Sequence, residues 1–132
     1  MNRSFDSVQV LVYGNWRVVS IGLRHLLNEL GFINVVKCDN FGEIHSHLSD
    51  PSKRFDMSLV DFNGDFLEVL RKINATRQLP QGKRLKIVAF ADKKEQGPFY
   101  LASGVDRVLT KQADAPELKE ALKAMLRESP IG

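Results

Sequence analysis

Met57-Ser58-Leu59-Val60-Asp61 is a short apolar run that ends in a single carboxylate. A run of this length is too short for a helix and reads as a buried strand. Asp61 then falls where the strand leaves the sheet. In an open parallel α/β sheet that carboxyl edge is where ligands bind. The rest of the chain is read by asking which residues come to the same edge, and which do not.

Strand and helix signals alternate on both sides of this stretch. Val8 to Val12 is a β-rich run, broken at Gly14-Asn15. Val19, Leu23, Leu26, Leu27 and Leu30 then mark one face of a helix. Gly31 stands just past its end, where a left-handed cap residue is wanted. Phe32 to Cys38 holds the second strand. Asn40 caps the next helix, with Glu43 at the capping-box position and Phe41, Ile44 and Leu48 as its stripe. Asp50-Pro51-Ser52 closes it, because proline cannot continue a helix.

After the Asp61 strand, Phe66, Val69, Leu70 and Ile73 give a third helical stripe, and Leu79-Pro80-Gln81-Gly82 is a turn. Leu85 to Phe90 is the fourth strand. A short fourth helix begins around Gln96-Gly97-Pro98 and ends near Ser103-Gly104. Val105 to Thr110 holds the fifth strand. Asp114 caps the last helix, with Pro116 in its first turn and Glu117 at the capping-box position. Its core face is Leu118, Ala121, Leu122, Met125 and Leu126.

Five βα units in succession predict a parallel sheet with helices on both faces. Right-handed crossovers limit the topologies further. The natural candidate is the α/β flavodoxin-like (βα)5 fold with strand order 2-1-3-4-5, although periodicity alone does not fix that order. One domain over residues 8–127 is expected, after an N-terminal extension of residues 1–7 and before a tail, or the start of a linker to a further domain, at residues 128–132.

Composition narrows the function classes. The 132 residues are 43% hydrophobic and 27% charged, which suits one soluble domain with one core. No apolar run approaches the roughly 20 residues of a membrane span. Met1 to Ser7 is polar and lacks the apolar segment of a secretory signal, so a cytoplasmic location away from membranes is expected. The one cysteine, Cys38, excludes an internal disulfide and lies in a strand-like stretch, where it reads as a buried, inert thiol. The net charge of +3 is spread along the chain, with small clusters at Lys83-Arg84 and Lys93-Lys94. That pattern describes a solvated surface rather than the basic face nucleic-acid binding needs. His45 and His47 are i, i+2 on a helix and point to different faces, and neither they nor His25 have a cysteine pair to build a zinc site. Gly14 and Gly22 form no phosphate-loop or dinucleotide pattern.

The loops after strands one, three, four and five meet at one rim of such a sheet. They bring Gly14, Asn15 and Trp16; Asp61, Phe62 and Asn63; Ala91 and Asp92; and Lys111 with Gln112. Asp61 and Lys111 are the expected charged pair. A carboxylate beside a flexible ammonium is a workable phosphoryl-acceptor pair: one group attacks, the other neutralises the phosphoryl oxygens. Asp and Lys are also common at strand ends for structural reasons, and spacing leaves both readings open.

Three segments carry a family resemblance. They are Val18-Val19-Ser20-Ile21-Gly22-Leu23-Arg24, then Leu59-Val60-Asp61, then Gly104-Val105-Asp106-Arg107-Val108-Leu109-Thr110-Lys111-Gln112. In their order and spacing, from about Val8 to Arg127, the chain resembles the receiver domain of two-component response regulators, especially the class with a LuxR-type helix-turn-helix. The resemblance implies that Asp61 is the phosphoacceptor-like residue and Lys111 the phosphoryl-contacting lysine. Asn63 matches the residue whose backbone carbonyl binds the metal in typical members.

The departures from that pattern matter more. Typical members place two acidic residues after the first strand to hold magnesium; this chain has Gly14-Asn15. Mg²⁺ wants oxygen ligands and usually uses one or two carboxylates. A weak magnesium site at most is expected, its candidates being Asn15, Asp61 and Asn63, and no other cofactor. Ala91 replaces the Ser or Thr whose hydroxyl reports the phosphoryl group, and Val108 stands where the switch aromatic usually lies. Trp16 and Phe62 sit beside the rim, either filling the vacated pocket or packing against nearby loops.

The expected function is therefore that of an atypical receiver, or pseudo-receiver: a non-enzymatic regulatory module in signal transduction and transcription regulation. Its output would be homodimerisation or docking to another regulatory protein. In the resembling family the dimer face is helix one with helix five, or helix four through helix five; Arg24, Lys119 and Lys123 are exposed candidates there. DNA contact would come only through a C-terminal domain absent from this chain. Two alternatives remain: a working phosphoacceptor at Asp61 with a weakened metal site, and a small-molecule pocket in the altered rim.

Overall fold

The structure is a computed structural model and describes residues 7–14, 24–62, 65–111 and 113–128. Five parallel strands, β1 (Gln9–Tyr13), β2 (Asn34–Cys38), β3 (Met57–Val60), β4 (Lys86–Ala91) and β5 (Arg107–Thr110), form one sheet of order β2-β1-β3-β4-β5. This is the expected flavodoxin-like order. The helices are α1 (residues 24–29 of those described), α2 (Phe41–Ser49), α3 (Phe66–Gln78), α4 (Gly97–Ala102) and α5 (Ala115–Glu128). A 3-10 turn, Lys94–Gln96, leads into α4. Among the described residues no helix is long and apolar enough to cross a membrane.

Alternation along the strands splits the core into two layers. Leu11 and Tyr13 of β1 face the layer that holds Ile44 and Leu48 of α2, Val69 and Ile73 of α3, and Tyr100 of α4. Val10 and Val12 face the other layer, with Leu27 of α1 and Leu118, Leu122 and Met125 of α5. Of the α5 stripe read from the sequence, Leu118, Leu122 and Met125 are buried and Ala121 is half-buried, while the side chain of Leu126 lies outside those described. Val19 and Leu23, expected on the first helix, lie outside the described residues.

The local stops and starts are built from short-range hydrogen bonds. Asn40 Oδ1 accepts from Glu43 N at 2.9 Å. The Glu43 carboxylate returns to Asp39 N at 2.7 Å, one residue before the cap itself. Asp114 caps α5 in the same way through Glu117 N at 2.9 Å. Asp65 caps α3 through Glu68 N at 2.9 Å, a cap the sequence reading did not single out. Gly31 has φ of 102°, a left-handed value that explains its place after α1.

Several strand bounds shift. β1 begins at Gln9 and runs to Tyr13, one residue later than read from the sequence. β2 begins at Asn34, not Phe32, because the Phe32 amide is bound to Leu27 O at 2.9 Å and still closes the end of α1. β5 begins at Arg107, not Val105, since the Val105 amide is tied back to Tyr100 O of α4. β4 spans Lys86–Ala91, which places Ala91 inside the strand and leaves Asp92 as the first residue of the rim.

Candidate functional site

The register brings the site together. Tyr13 pairs with Val60, Val60 with Ala89, and Ala91 with Thr110. Asp61 therefore leaves β3 level with Gly14, and Asp92 and Lys111 leave β4 and β5 abreast. Two backbone bonds prolong the ladder past the strands. Asp61 N donates to Tyr13 O at 2.8 Å, and Lys111 N donates to Ala91 O at 3.0 Å. Both site residues thus start from backbone held by the sheet.

Lys111 Nζ lies 3.3 Å from Asp61 Oδ1 and 2.6 Å from Asp92 Oδ1. The lysine bridges two carboxylates of unlike surroundings. Asp61 is only 3% exposed. The ammonium, 3.3 Å from Oδ1, acts on the buried carboxylate both as a charge and as a hydrogen-bond donor. The Asp92 side chain is 65% exposed and holds the shorter contact.

Burial pushes the Asp61 carboxyl above the usual carboxylate range; the Lys111 charge pulls it back down and Asp92 pushes it up again, with a net rise. For Lys111, burial lowers the pKa, but the Asp92 hydrogen bond and the Asp61 charge together outweigh it, and the pKa rises. Tyr13, beside the rim, is raised by burial first and by the Asp61 charge second.

A stability prediction follows with a definite sign. The folded-state pKa of Asp61 lies above its unfolded value near 3.8, so the ionised form opposes folding. That penalty is full above the folded pKa and disappears as pH falls below the unfolded one. Asp61→Asn is expected to stabilise the domain by about 1 kcal/mol at neutral pH, the scale of relieving the burial penalty on one polar group. The advantage should shrink toward zero as pH approaches the unfolded value. Urea unfolding at several pH values measures it; a less stable variant at neutral pH would contradict the account.

The other expected positions are placed as follows. Ala91 is fully buried at the end of β4. Val108 is partly buried against the α2–α3–α4 layer, and Gly97 of α4 lies over it, with a Cβ at Gly97 falling 3.8 Å from Val108 Cγ1. Phe62 is buried in the same layer, where its ring packs on Tyr13 at 5.7 Å and edge-on to Phe41 at 5.8 Å. Gly14 is described, at the end of β1. Asn15, Trp16, Asn63 and Gln112 lie outside the described residues. Cys38 is buried and burial pushes its thiol up to about 12, as an inert cysteine requires. Arg24 and Lys119 are exposed, whereas Lys123 is half-buried on α5.

Two residues near the rim were not picked out by the sequence reading as functional. Asp92 was placed at the rim without a partner; its contact with Lys111 depends on the one-residue extension of β4. Tyr100 is buried on α4 and stacks on Phe66 at 6.0 Å. Burial raises its pKa, and Asp92 and Asp61 raise it further against the opposing Lys111 charge. Tyr100 is thus an aromatic within the field of the rim, on α4 rather than at Val108.

The described residues of the rim do not fit a magnesium ion well, and the candidates Asn15 and Asn63 lie outside them. Mg²⁺ would need oxygen donors beside Asp61. Gly14 offers no side chain, and the nearest charge to Asp61 is an ammonium. Among the described residues no cluster of three or more His, Cys, Asp or Glu could hold a metal. A cleft of about 540 Å³ opens at the opposite, amino end of the sheet, with Gln9, Val36, His47, Lys53, Phe55 and Asp56 in its lining.

No family model and no curated protein matches the sequence. Solved structures do. A CheY-like response regulator receiver domain from Methylobacillus flagellatus is 22% identical, covers 90% of this chain and 99% of its own, and has a TM-score of 0.74. The receiver domain of a sensor histidine kinase from Pseudomonas aeruginosa, which has a magnesium ion coordinated in its active-site cleft, is 21% identical, with coverage of 92% and 99% and a TM-score of 0.71. A CheY-like receiver domain protein from Methanospirillum hungatei is 20% identical, with coverage of 92% and 96% and a TM-score of 0.76. At these identities the likeness is one of fold.

Proposed function

We propose that the chain is a receiver-like regulatory module of two-component signalling that works without a phosphorylation switch. It is a non-enzymatic, pseudo-receiver domain of the LuxR-type class, and its output in transcription regulation is dimerisation or docking to another regulatory protein. The observation that carries this reading is a retained Asp61–Lys111 pair in surroundings stripped of phosphoryl chemistry. Asp61 is buried with the Lys111 ammonium 3.3 Å away as its partner. The strand end that would offer a hydroxyl offers the buried methyl of Ala91 instead. The metal-holding acidic pair is replaced by Gly14-Asn15. Phosphoryl transfer depends on charge compensation by metal and positioned donors, so loss of both removes the main catalytic terms.

An interaction output is supported by the outer faces of α3 and α4. Phe99 is 57% exposed and Leu101 50%, with Leu67 of α3 also exposed. The Phe99 ring meets Phe66 edge-on at 5.4 Å, so this apolar surface is continuous with the core layer beneath it. Exposed large apolar groups on neighbouring helices are candidates for an interaction site.

Sedimentation velocity tests the reading. Wild-type chain, wild-type chain with acetyl phosphate, and Asp61→Asn should self-associate alike. A shift in association by the roughly 5–150-fold of ordinary allosteric coupling, seen only with acetyl phosphate and only when Asp61 is present, would contradict it.

A further inference from the structure

We propose that Asp92 is a built-in counter-anion, holding the Lys111 ammonium in the place an incoming oxyanion would take. The inference rests on the reading of the rim as a pocket without a phosphorylation switch, and it names the group that keeps it so. Its first support is geometric. Lys111 Nζ is 2.6 Å from Asp92 Oδ1 but 3.3 Å from Asp61 Oδ1, so the tighter partner is the residue with no part in phosphoryl acceptance. The preference is built by the sheet. Ala91 pairs with Thr110, and the Lys111 amide is bound to Ala91 O at 3.0 Å. Residues 92 and 111 therefore leave adjacent strands side by side, with little freedom to part.

The second support is charge. Two carboxylates already surround one ammonium, so among these three groups an oxyanion entering from solvent meets an excess of negative charge. Asp92 stands on the outer side of that mouth, 65% exposed, while Asp61 is buried behind it. Like charge at the entrance of a site disfavours an anionic ligand, and removing it is the simplest way to admit one. The third support is energetic. An exposed ion pair contributes little to folding, so its close geometry is explained better by its effect on Lys111 than by stability.

The test reads the reactivity of the Lys111 amine directly. Wild type, Asp92→Asn and Asp92→Glu are treated with a limiting amount of an acetylating N-hydroxysuccinimide ester. Acylation at Lys111 is measured by peptide mass spectrometry against exposed Lys94, with and without inorganic phosphate as the oxyanion probe. Thermal melting confirms that the variants are folded. Asp92→Asn is expected to raise Lys111 acylation by about fivefold, the change one partly exposed ion pair commands. Phosphate should then slow the reaction in Asp92→Asn, where the anion's place is vacant, and leave wild type and Asp92→Glu unaffected. Equal acylation in wild type and Asp92→Asn would overturn the proposal. So would a faster reaction in Asp92→Asn that phosphate does not slow, because Asp92 would then be an ordinary surface ion pair. Neither outcome touches the proposed function, which fails instead if acetyl phosphate modifies Asp61 of the wild-type chain.

Discussion

Arg77→Ala is expected to lower the stability of the domain by about 3 kcal/mol, the scale of breaking a partly buried charged network by removing one partner. Arg77 lies in the last turn of α3. Its Nε donates to Gly104 O at 2.8 Å and its Nη1 to Gly82 O at 2.7 Å and to Leu85 O. Its Nη2 donates to Asp106 Oδ2 at 2.8 Å, an oxygen that also accepts from Ile87 N at 2.8 Å. One guanidinium thus ties α3 to the turn after it and to the amino ends of β4 and β5. Truncation leaves three backbone carbonyls without this donor. Lysine at 77 should recover less than half of the loss, because an ammonium cannot present a planar fork to partners on three segments. Chemical denaturation of both variants measures the effect. A loss below about 1 kcal/mol for the alanine variant would reduce the network to an ordinary surface contact.

Gly82→Ala is expected to be as damaging, for a steric reason. A Cβ at position 82 would lie 1.8 Å from Thr76 O and 2.8 Å from Thr76 C. These are backbone atoms at the end of a helix, not the tip of a movable side chain. Thr76 is itself buried, its hydroxyl donates to Lys72 O at 2.8 Å, and its carbonyl accepts from Leu79 N at 3.2 Å. Either the turn after α3 moves out or the helix loses its last turn. Both also displace the Gly82 carbonyl from Arg77. Overpacking of this kind costs typically 1–3 kcal/mol and more where backbone must shift, so a loss of about 3 kcal/mol is expected. Arg77 donates to the Gly82 carbonyl, so the two sites are coupled and the double variant should lose less than the sum of the two. An alanine variant as stable as wild type in urea would mean that the turn can open without cost.

Both anchors sit at the amino end of the sheet, far along the strands from Asp61, Asp92 and Lys111. Stability and the candidate site are thus assigned to opposite ends of the same strands, as an open α/β sheet allows. A rim that does not hold the fold together can change its side chains without unfolding the domain.

Much of this was legible in the sequence because it is local. Alternating apolar runs and capped stripes led to five βα units. The apolar run Met57–Val60 with Asp61 after it located the site at the carboxyl edge. The pairing of Asp61 with Lys111 followed from the strand order alone. What was not legible depends on long-range placement. Arg77 reads in the sequence as one more basic residue in a helix's last turn; only the arrival of Gly104, Leu85 and Asp106 beside it, with Gly82 from the turn, gives it four partners. Asp92 needed the exact end of β4, and strand ends are the weakest part of any periodicity reading. Phe62, open between filling the rim and packing locally, is drawn inward by Tyr13 and Phe41, which come from separate elements.

The central claim is that the Asp61–Lys111 pair no longer accepts phosphate. Intact-mass spectrometry after incubation with acetyl phosphate, with and without Mg²⁺ and beside Asp61→Asn, tests it most directly. The account predicts no phosphoryl adduct on the wild-type chain under either condition. A magnesium-dependent adduct on the wild type that is absent from Asp61→Asn would contradict it and show that Asp61 still works as a phosphoacceptor.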